Sequence, residues 1–419
     1  EATCVRVQVF EHGCGGHHTN YIEALLPRLI DLKHQGKIDQ VIVTITRTHL
    51  DSDNFQQQLA PFVAEVDFRE LEFPVKPKLP VLSGQAQLMQ TILQAIEQVR
   101  PDYLVAPSAD SQSLMLAITN LLGRKTLPKS VHSVGVFHAG YAGTVDNWQD
   151  YLKDQVYRFS WRYAPWSRML LVNPVVYECI LRENPILAKR TGLLPDPVPP
   201  LQPSDRSSAR KLLNIPEEGR YIGFVGTMDH RKAIPELLQA FRAATSQPTD
   251  RLLLAGFIYP QHREVLEREF ADLLQQQRII LLDRFLSVEE MQASFSAIDV
   301  AAVLQYSRPG LSCNLLKAIT AHRPVLVDEY GYTGMLTRRF QLGQTCRVLE
   351  PDSVVQAIRA SLDQSADYRI SPAARRLIEF HHPTNFADTI LKDLYTRLGI
   401  PTSNSFQSWE WVNEGVAEP

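Results

Sequence analysis

The most constraining stretch of the chain spans residues 305–334, QYSRPGLSCNLLKAITAHRPVLVDEYGYTG. An apolar run at 300–304 leads into it, and Pro309 and Gly310 mark a turn. Leu315, Leu316 and Ile319 then recur at helical spacing before a second apolar run at 324–327. That order predicts a strand, a turn, a helix and a second strand of one parallel sheet. Such a turn falls at the carboxyl edge, where open α/β sheets take ligands. The unpaired N–H groups and dipole of the helix start favour a phosphate there.

The same alternation runs through the rest of the chain. Residues 5–10, VRVQVF, predict a first strand, followed by the loop EHGCGGHH and a helix from about Thr19 whose stripe is Tyr21, Ile22, Leu25, Leu29 and Ile30. Further strands are predicted at 41–46, 103–106, 133–137 and 169–172, with helical patterns such as 85–99 between them. The segment 194–203, LPDPVPPLQP, holds five prolines, which neither a helix nor a central strand accepts. Beyond it come a helix at 207–213, a strand at 221–225, the turn GTMDHRK and a helix at 234–243. A strand at 251–255, a helix ending near Gln277, a strand at 279–282 and a helix at 288–298 follow.

The expected fold class is therefore α/β, two Rossmann-like doubly wound domains facing across a cleft. Expected boundaries are 1–198 for the first domain, 199–205 for the linker and 206–380 for the second domain. A helix at 381–400 could cross back onto the first domain. The tail 401–419 carries Trp409 and Trp411.

A chain of 419 residues, 44% hydrophobic and 21% charged, is long enough for two cores. Its net charge of -3 gives no electrostatic case for nucleic acid. No apolar run is long enough to span a membrane, and peripheral membrane contact stays open. The N-terminus shows no signal-peptide pattern. Five cysteines without a C-x-x-C pair fit reduced thiols, so a cytoplasmic location is expected.

The glycine- and proline-rich turn followed by LLKAITAHRPVL, and a strand ending before DEYG, resembles the donor-binding segment of family 4 glycosyltransferases of the GT-B fold. The resemblance is strongest over 221–343, with FVG followed by Lys232, then LLLAG, SVEEMQASFSAIDV and PGL. In that family the turn and helix usually carry two Glu separated by seven residues. Here those places hold Pro309 and Lys317.

The resemblance implies a sugar transfer from a nucleotide-diphosphate sugar, as co-substrate, to a hydroxyl acceptor. It further implies retention of anomeric configuration, no essential metal and no other cofactor. It places Gly226, Thr227, Arg231 and Lys232 at the donor pyrophosphate, Thr227 standing where the family has an Arg. The backbone near Phe285 and Leu286 would meet the base. Gly310, Leu311, Ser312, Asn314 and Lys317 would line the helix start, and Arg308 could supply the missing charge. A lysine cannot accept the ribose hydroxyl protons as a carboxylate does.

In the first domain, Gly15 and Gly16 match the family's glycine loop, where absent side chains let backbone approach the donor. His138, at the end of a strand and before AGYAG, matches a His that faces the transferred sugar. His12, Cys14, His17 and His18 crowd the first loop. A metal site is one reading of them; acceptor contact by His17 and His18 is the preferred one, and a polar surface loop is the plain alternative. Asp51-Ser52-Asp53 imitates a metal-binding D-x-D but sits where helix caps are ordinary. The competing functional class is a binding or scaffold protein that kept the fold after losing the acidic pair.

Overall fold

A computed structural model describes residues 5–401 apart from 16, 72–80, 139–147, 200, 202–203, 246 and 307–309, with the side chains of His17, Val81 and Leu82 also left aside. The chain divides into two compact units. One comprises the described residues of Glu1–Pro197 and His381–Glu410, the other those of Val198–Phe380.

The first unit holds a parallel sheet of seven strands: β1 (Arg6–Glu11), β2 (Gln40–Thr46), β3 (Asp67–Leu71), β4 (Tyr103–Ala106), β5 (His132–Phe137), β6 (Arg168–Leu171) and β7 (Thr191–Leu193). Their order is β3-β2-β1-β4-β5-β6-β7. The second unit holds six: β8 (Tyr221–Val225), β9 (Arg251–Ala255), β10 (Ile279–Leu282), β11 (Val300–Val303), β12 (Val325–Asp328) and β13 (Gly343–Cys346). Their order is β10-β9-β8-β11-β12-β13, again parallel. Each sheet reverses its order beside its first strand, which makes a ligand crevice at the carboxyl edge between β1 and β4 and between β8 and β11.

Central strands such as β4, β8 and β9 are buried on both faces, so they appear in the sequence as nearly unbroken apolar runs. In β1 the alternation sends Val7 and Val9 into one core and Phe10 into another. The core beneath Val7 and Val9 is closed by two helices, His17–His34 and Pro383–Leu398. The latter contributes Phe386, Ile390, Leu391 and Leu394. Tyr103 of β4 donates its hydroxyl to the Ile390 carbonyl at 2.7 Å, and Asp393 takes His132 at 3.0 Å and Arg168 at 2.9 Å. This last helix is thus an integral layer of the first unit.

Three strands had no counterpart among the sequence expectations: β3, β7 and β13. All lie at sheet edges. Edge strands carry polar side chains because one side is solvated, and β3, DFREL, is the clearest case.

Candidate functional site

The second unit gathers four loops at its carboxyl edge. Gly226 ends β8 with φ +120°, and Gly256 ends β9 with φ +132°. A Cβ on Gly256 would stand 2.2 Å from the Gly226 carbonyl oxygen, so only glycine lets these two strand ends lie against each other. The loops then interlock: Met228 N–H donates to the Phe257 carbonyl at 2.9 Å, and Tyr259 N–H to the Met228 carbonyl at 3.1 Å.

On the other side, Lys232 reaches across to the end of β11, where its Nζ donates to Gln305 Oε1 at 3.1 Å. Tyr306 N–H donates to the Arg231 carbonyl at 3.0 Å. Arg231 itself is forked onto Asp229, and this pairing holds the Asp229 carboxyl down at about 2. The Arg231 charge is therefore largely answered inside its own loop. Thr227 is exposed on the same loop.

The helix Cys313–Thr320 starts at this edge. Ser312 takes the N-cap position without a side-chain cap bond. Asn314 donates from Nδ2 to the Val225 carbonyl at 2.6 Å, tying the helix start to the end of β8. A Cβ on Gly226 would meet that same amide at 2.9 Å. Gly310 accepts from Thr333 Oγ1 at 3.2 Å, and Leu311 is half-buried beside it. Arg308, with Pro309, lies outside the described residues.

Lys317, one turn on, is half-buried and points its Nζ at Met291 Sδ, 3.0 Å away. Among the described residues it has no carboxylate partner. Thioether sulfur is a weak acceptor, so this ammonium is poorly satisfied by the protein alone. Beyond β10, Phe285 is 77% exposed and stacks on Phe257 with centroids 5.1 Å apart and planes 4° from parallel. Leu286 follows, half-buried.

The first unit's carboxyl edge is built differently. Glu11, the last residue of β1, is fully buried. Its Oε1 accepts from Gly13 N–H at 2.7 Å and lies 3.1 Å from His18 Nδ1 and 3.6 Å from His12 Nδ1. Its Oε2 accepts from Ser108 Oγ at 2.8 Å, and Ser108 Oγ is 3.0 Å from His18 Nδ1. Burial pushes the Glu11 carboxyl up, but His18, His12 and the Gly13 amide outweigh it and hold it below the usual range. Burial lowers the pKa of His12 and of His49, whose Nε2 meets Thr19 Oγ1 at 2.9 Å.

Gly13 is required here: a Cβ would fall 2.4 Å from the His18 ring. Gly15 turns the loop with φ +77°. Gly16 lies outside the described residues, and His17 opens the first helix without a described side chain.

His138 follows β5. Its N–H donates to Asp110 Oδ2 at 2.7 Å, Nε2 meets the Pro107 carbonyl at 3.0 Å, and its ring stacks on Tyr21 at 5.4 Å. Asp51 pairs with Arg47, and Ser52 Oγ accepts from Phe55 N–H at 3.2 Å, which is capping.

Sequence reasoning passed over Glu11, Ser108, Gln305, Asp229 and Phe257. For Glu11 a signal existed, since it continues the period-two face of Val7 and Val9 and is a carboxylate where an apolar residue is due. Ser108 and Gln305 gave none.

Residues 219–364 match the family described as Glycosyl transferases group 1. No curated protein matches the chain at the level of sequence. Solved structures do match in fold. HepE from Anabaena, crystallised with UDP, has a TM-score of 0.65 and 14% identity, over 94% of this chain and 100% of its own. A glycosyltransferase from Rickettsia africae has a TM-score of 0.67 and 14% identity, over 94% and 99%. Sucrose-phosphate synthase from Thermosynechococcus elongatus has a TM-score of 0.67 and 17% identity, over the same shares. The chain has the GT-B fold, and part of its second unit matches the group 1 glycosyl transferase family, with Pro309 and Lys317 at the two places where the sequence resemblance expects glutamates.

Proposed function

We propose that the protein is a glycosyltransferase of the hexosyltransferase type, moving a sugar from a nucleotide-sugar donor to a hydroxyl acceptor. The observation that carries this reading is the carboxyl edge of the second unit. Lys232 spans two strand ends there, close-packed glycine backbone adjoins it, and the helix start and Lys317 bring positive charge without a carboxylate in the Lys317 position. A departing nucleotide diphosphate develops negative charge as the bond from the sugar C1 to phosphate oxygen breaks. Lys232, Lys317 and the helix N-terminus are the groups that would hold it.

Transfer proceeds with retention: the acceptor oxygen bonds to C1 on the face the phosphate leaves, and the acceptor proton passes to the departing phosphate. No essential metal and no other cofactor take part, because the cationic side chains do the neutralising. The exposed Phe285 ring, braced by Phe257, gives the base a flat apolar surface. The reaction takes place in the cytoplasm. The fold neighbours crystallised with UDP support a nucleotide donor.

The second reading, a nucleotide-free scaffold, is favoured by Pro309 and Lys317 standing where the family has carboxylates. Calorimetric titration with a panel of nucleoside diphosphates separates the two, followed by donor hydrolysis with the sugar form of whichever binds. Tight binding of one diphosphate with turnover is expected. Failure of every common diphosphate to bind would leave the scaffold. The anomeric configuration of the product, read by proton NMR, tests retention.

A further inference from the structure

A second concavity of the second unit lies at the opposite edge of its sheet, where β12 and β13 begin. It encloses about 300 Å³ between Pro324, Gly343, the end of helix Gly331–Arg339, the end of helix Pro351–Gln364, and Tyr368. That is the lower end of the volume range of small-molecule sites.

Two of its hydroxyls are unusual. Ser361 is 4% exposed, and among the described residues its Oγ has no hydrogen-bond partner; neither has the buried hydroxyl of Tyr368. A helical serine or threonine without a partner ordinarily turns back to the carbonyl four residues earlier. Ser113, Ser160, Ser294 and Thr389 all do this in the same protein. Ser361 does not, although its own helix offers the Ala357 carbonyl. Leaving a buried hydroxyl unpaired costs about 1–3 kcal/mol, so an orphan pair in one cavity marks a place shaped for something other than the chain.

The remaining polar groups define what that is. Gln341, Gln344 and Gln364 line the cavity, and Gln344 Nε2 donates to Gln364 Oε1 at 2.8 Å, which fixes the orientation of both amides. Among the described residues no carboxylate lines it. Its one charged residue, Arg338, is exposed and donates to the Glu329 carbonyl at 3.0 Å. Neutral amides and hydroxyls, each able to donate and accept, beside a phenol ring suit a ligand with several hydroxyls and an apolar C–H face.

We infer that this cavity binds one monosaccharide-sized, uncharged polyhydroxylated ligand, with Ser361 and Tyr368 supplying its buried hydrogen bonds. The cavity sits at the amino edge of the sheet, away from Lys232 and the helix start at the carboxyl edge, so its ligand is separate from the proposed donor. The inference does not depend on the transfer reaction.

The test is thermal shift and calorimetry on the full chain with free glucose, galactose, N-acetylglucosamine and inorganic phosphate. Wild type is compared with Ser361→Ala/Tyr368→Phe and with Gln341→Ala, an exposed position that leaves folding intact. At least one sugar is expected to raise the melting temperature of wild type. The double variant should bind it about tenfold or more weakly, each lost hydrogen bond being worth roughly that. Its ligand-free melting temperature should not fall, and should rise to the extent that the unpaired hydroxyls cost the empty protein stability, since no internal bond is removed. Gln341→Ala should weaken the same sugar, and Lys232→Ala should not. Binding of phosphate but of no sugar would overturn the inference, as would no binding at all. So would equal affinity in the double variant, or a ligand-free variant several degrees less stable, which would mean that both hydroxyls serve the fold.

Discussion

The two sheets of this protein share one plan and use it in opposite ways. At the carboxyl edge of the first unit, the side chains turn toward each other: Glu11 is buried and takes Gly13, Ser108 and His18, with His12 close by. At the same edge of the second unit, groups are left facing outward: among the described residues Lys317 meets only a thioether, Thr227 is exposed, and Phe285 offers a bare ring. One edge has spent its electrostatics on the fold. The other has kept part of its own for a ligand. Substitutions at the first should therefore register as stability, and substitutions at the second as activity.

The largest expected effect is Glu11→Ala. It removes the shared acceptor of the half-buried Gly13 amide and of Ser108 and the carboxylate facing His18, and breaking a buried ionic cluster by removing one partner costs about 3–5 kcal/mol. Urea denaturation followed by tryptophan fluorescence reads it, because Trp161 and Trp166 are fully buried in the first unit. A loss below about 1 kcal/mol, the scale of one ordinary hydrogen bond, would remove the contrast between the two edges.

Acid should then weaken the first unit before the second. His381 is buried, and its pKa is pushed down by that burial to about 4, with Asp196 backbone only partly offsetting it. The unfolded chain binds this proton more readily, so stability present above about 6.5 is lost as pH falls towards 4, by on the order of 3 kcal/mol in all. Glu11, depressed in the folded state, adds a loss of the same sign below its ordinary range of about 4.5. Asp229 of the second unit, held at about 2 from an ordinary 3.8, loses its own contribution mainly at more acid pH than this range. Tryptophan-detected urea midpoints measured across this range should fall, and the fall should flatten in His381→Asn. Midpoints independent of pH would count against the burial argument.

Lys232→Ala sharpens the comparison from the other side. Losing a charged hydrogen bond to phosphate costs ~1.5–3 kcal/mol, so kcat/KM at subsaturating donor should drop about ten- to a hundredfold. The melting temperature should hardly move. Wild-type turnover would take Lys232 out of the site. The smallest effect belongs to Phe285→Ala, where one aromatic contact is worth about 0.5–1.5 kcal/mol. A severalfold weaker nucleotide affinity by calorimetry, at unchanged stability, is expected. Unchanged affinity would show that the base lies elsewhere.

What was legible follows the same physics. Central strands such as β4, β8 and β9 were placed to the residue, because burial on both faces forces a continuous apolar run. The edge strands β3, β7 and β13 were not, because solvent on one side permits Asp, Arg, Gln and Thr. In the site, glycine and lysine at fixed places after a strand were visible; Gln305 and Ser108, ordinary polar residues that matter only through a partner 73 and 97 positions away, were not.

The sequence by itself determined two parallel α/β sheets, their turns and the loops at their carboxyl edges, since periodicity, proline and glycine act on neighbouring residues. Tertiary structure decided which polar groups are consumed by the protein and which stay available to a ligand. That outcome depends on pairing between residues far apart in the chain, as when Glu11 meets Ser108 while Lys317 meets a thioether sulfur.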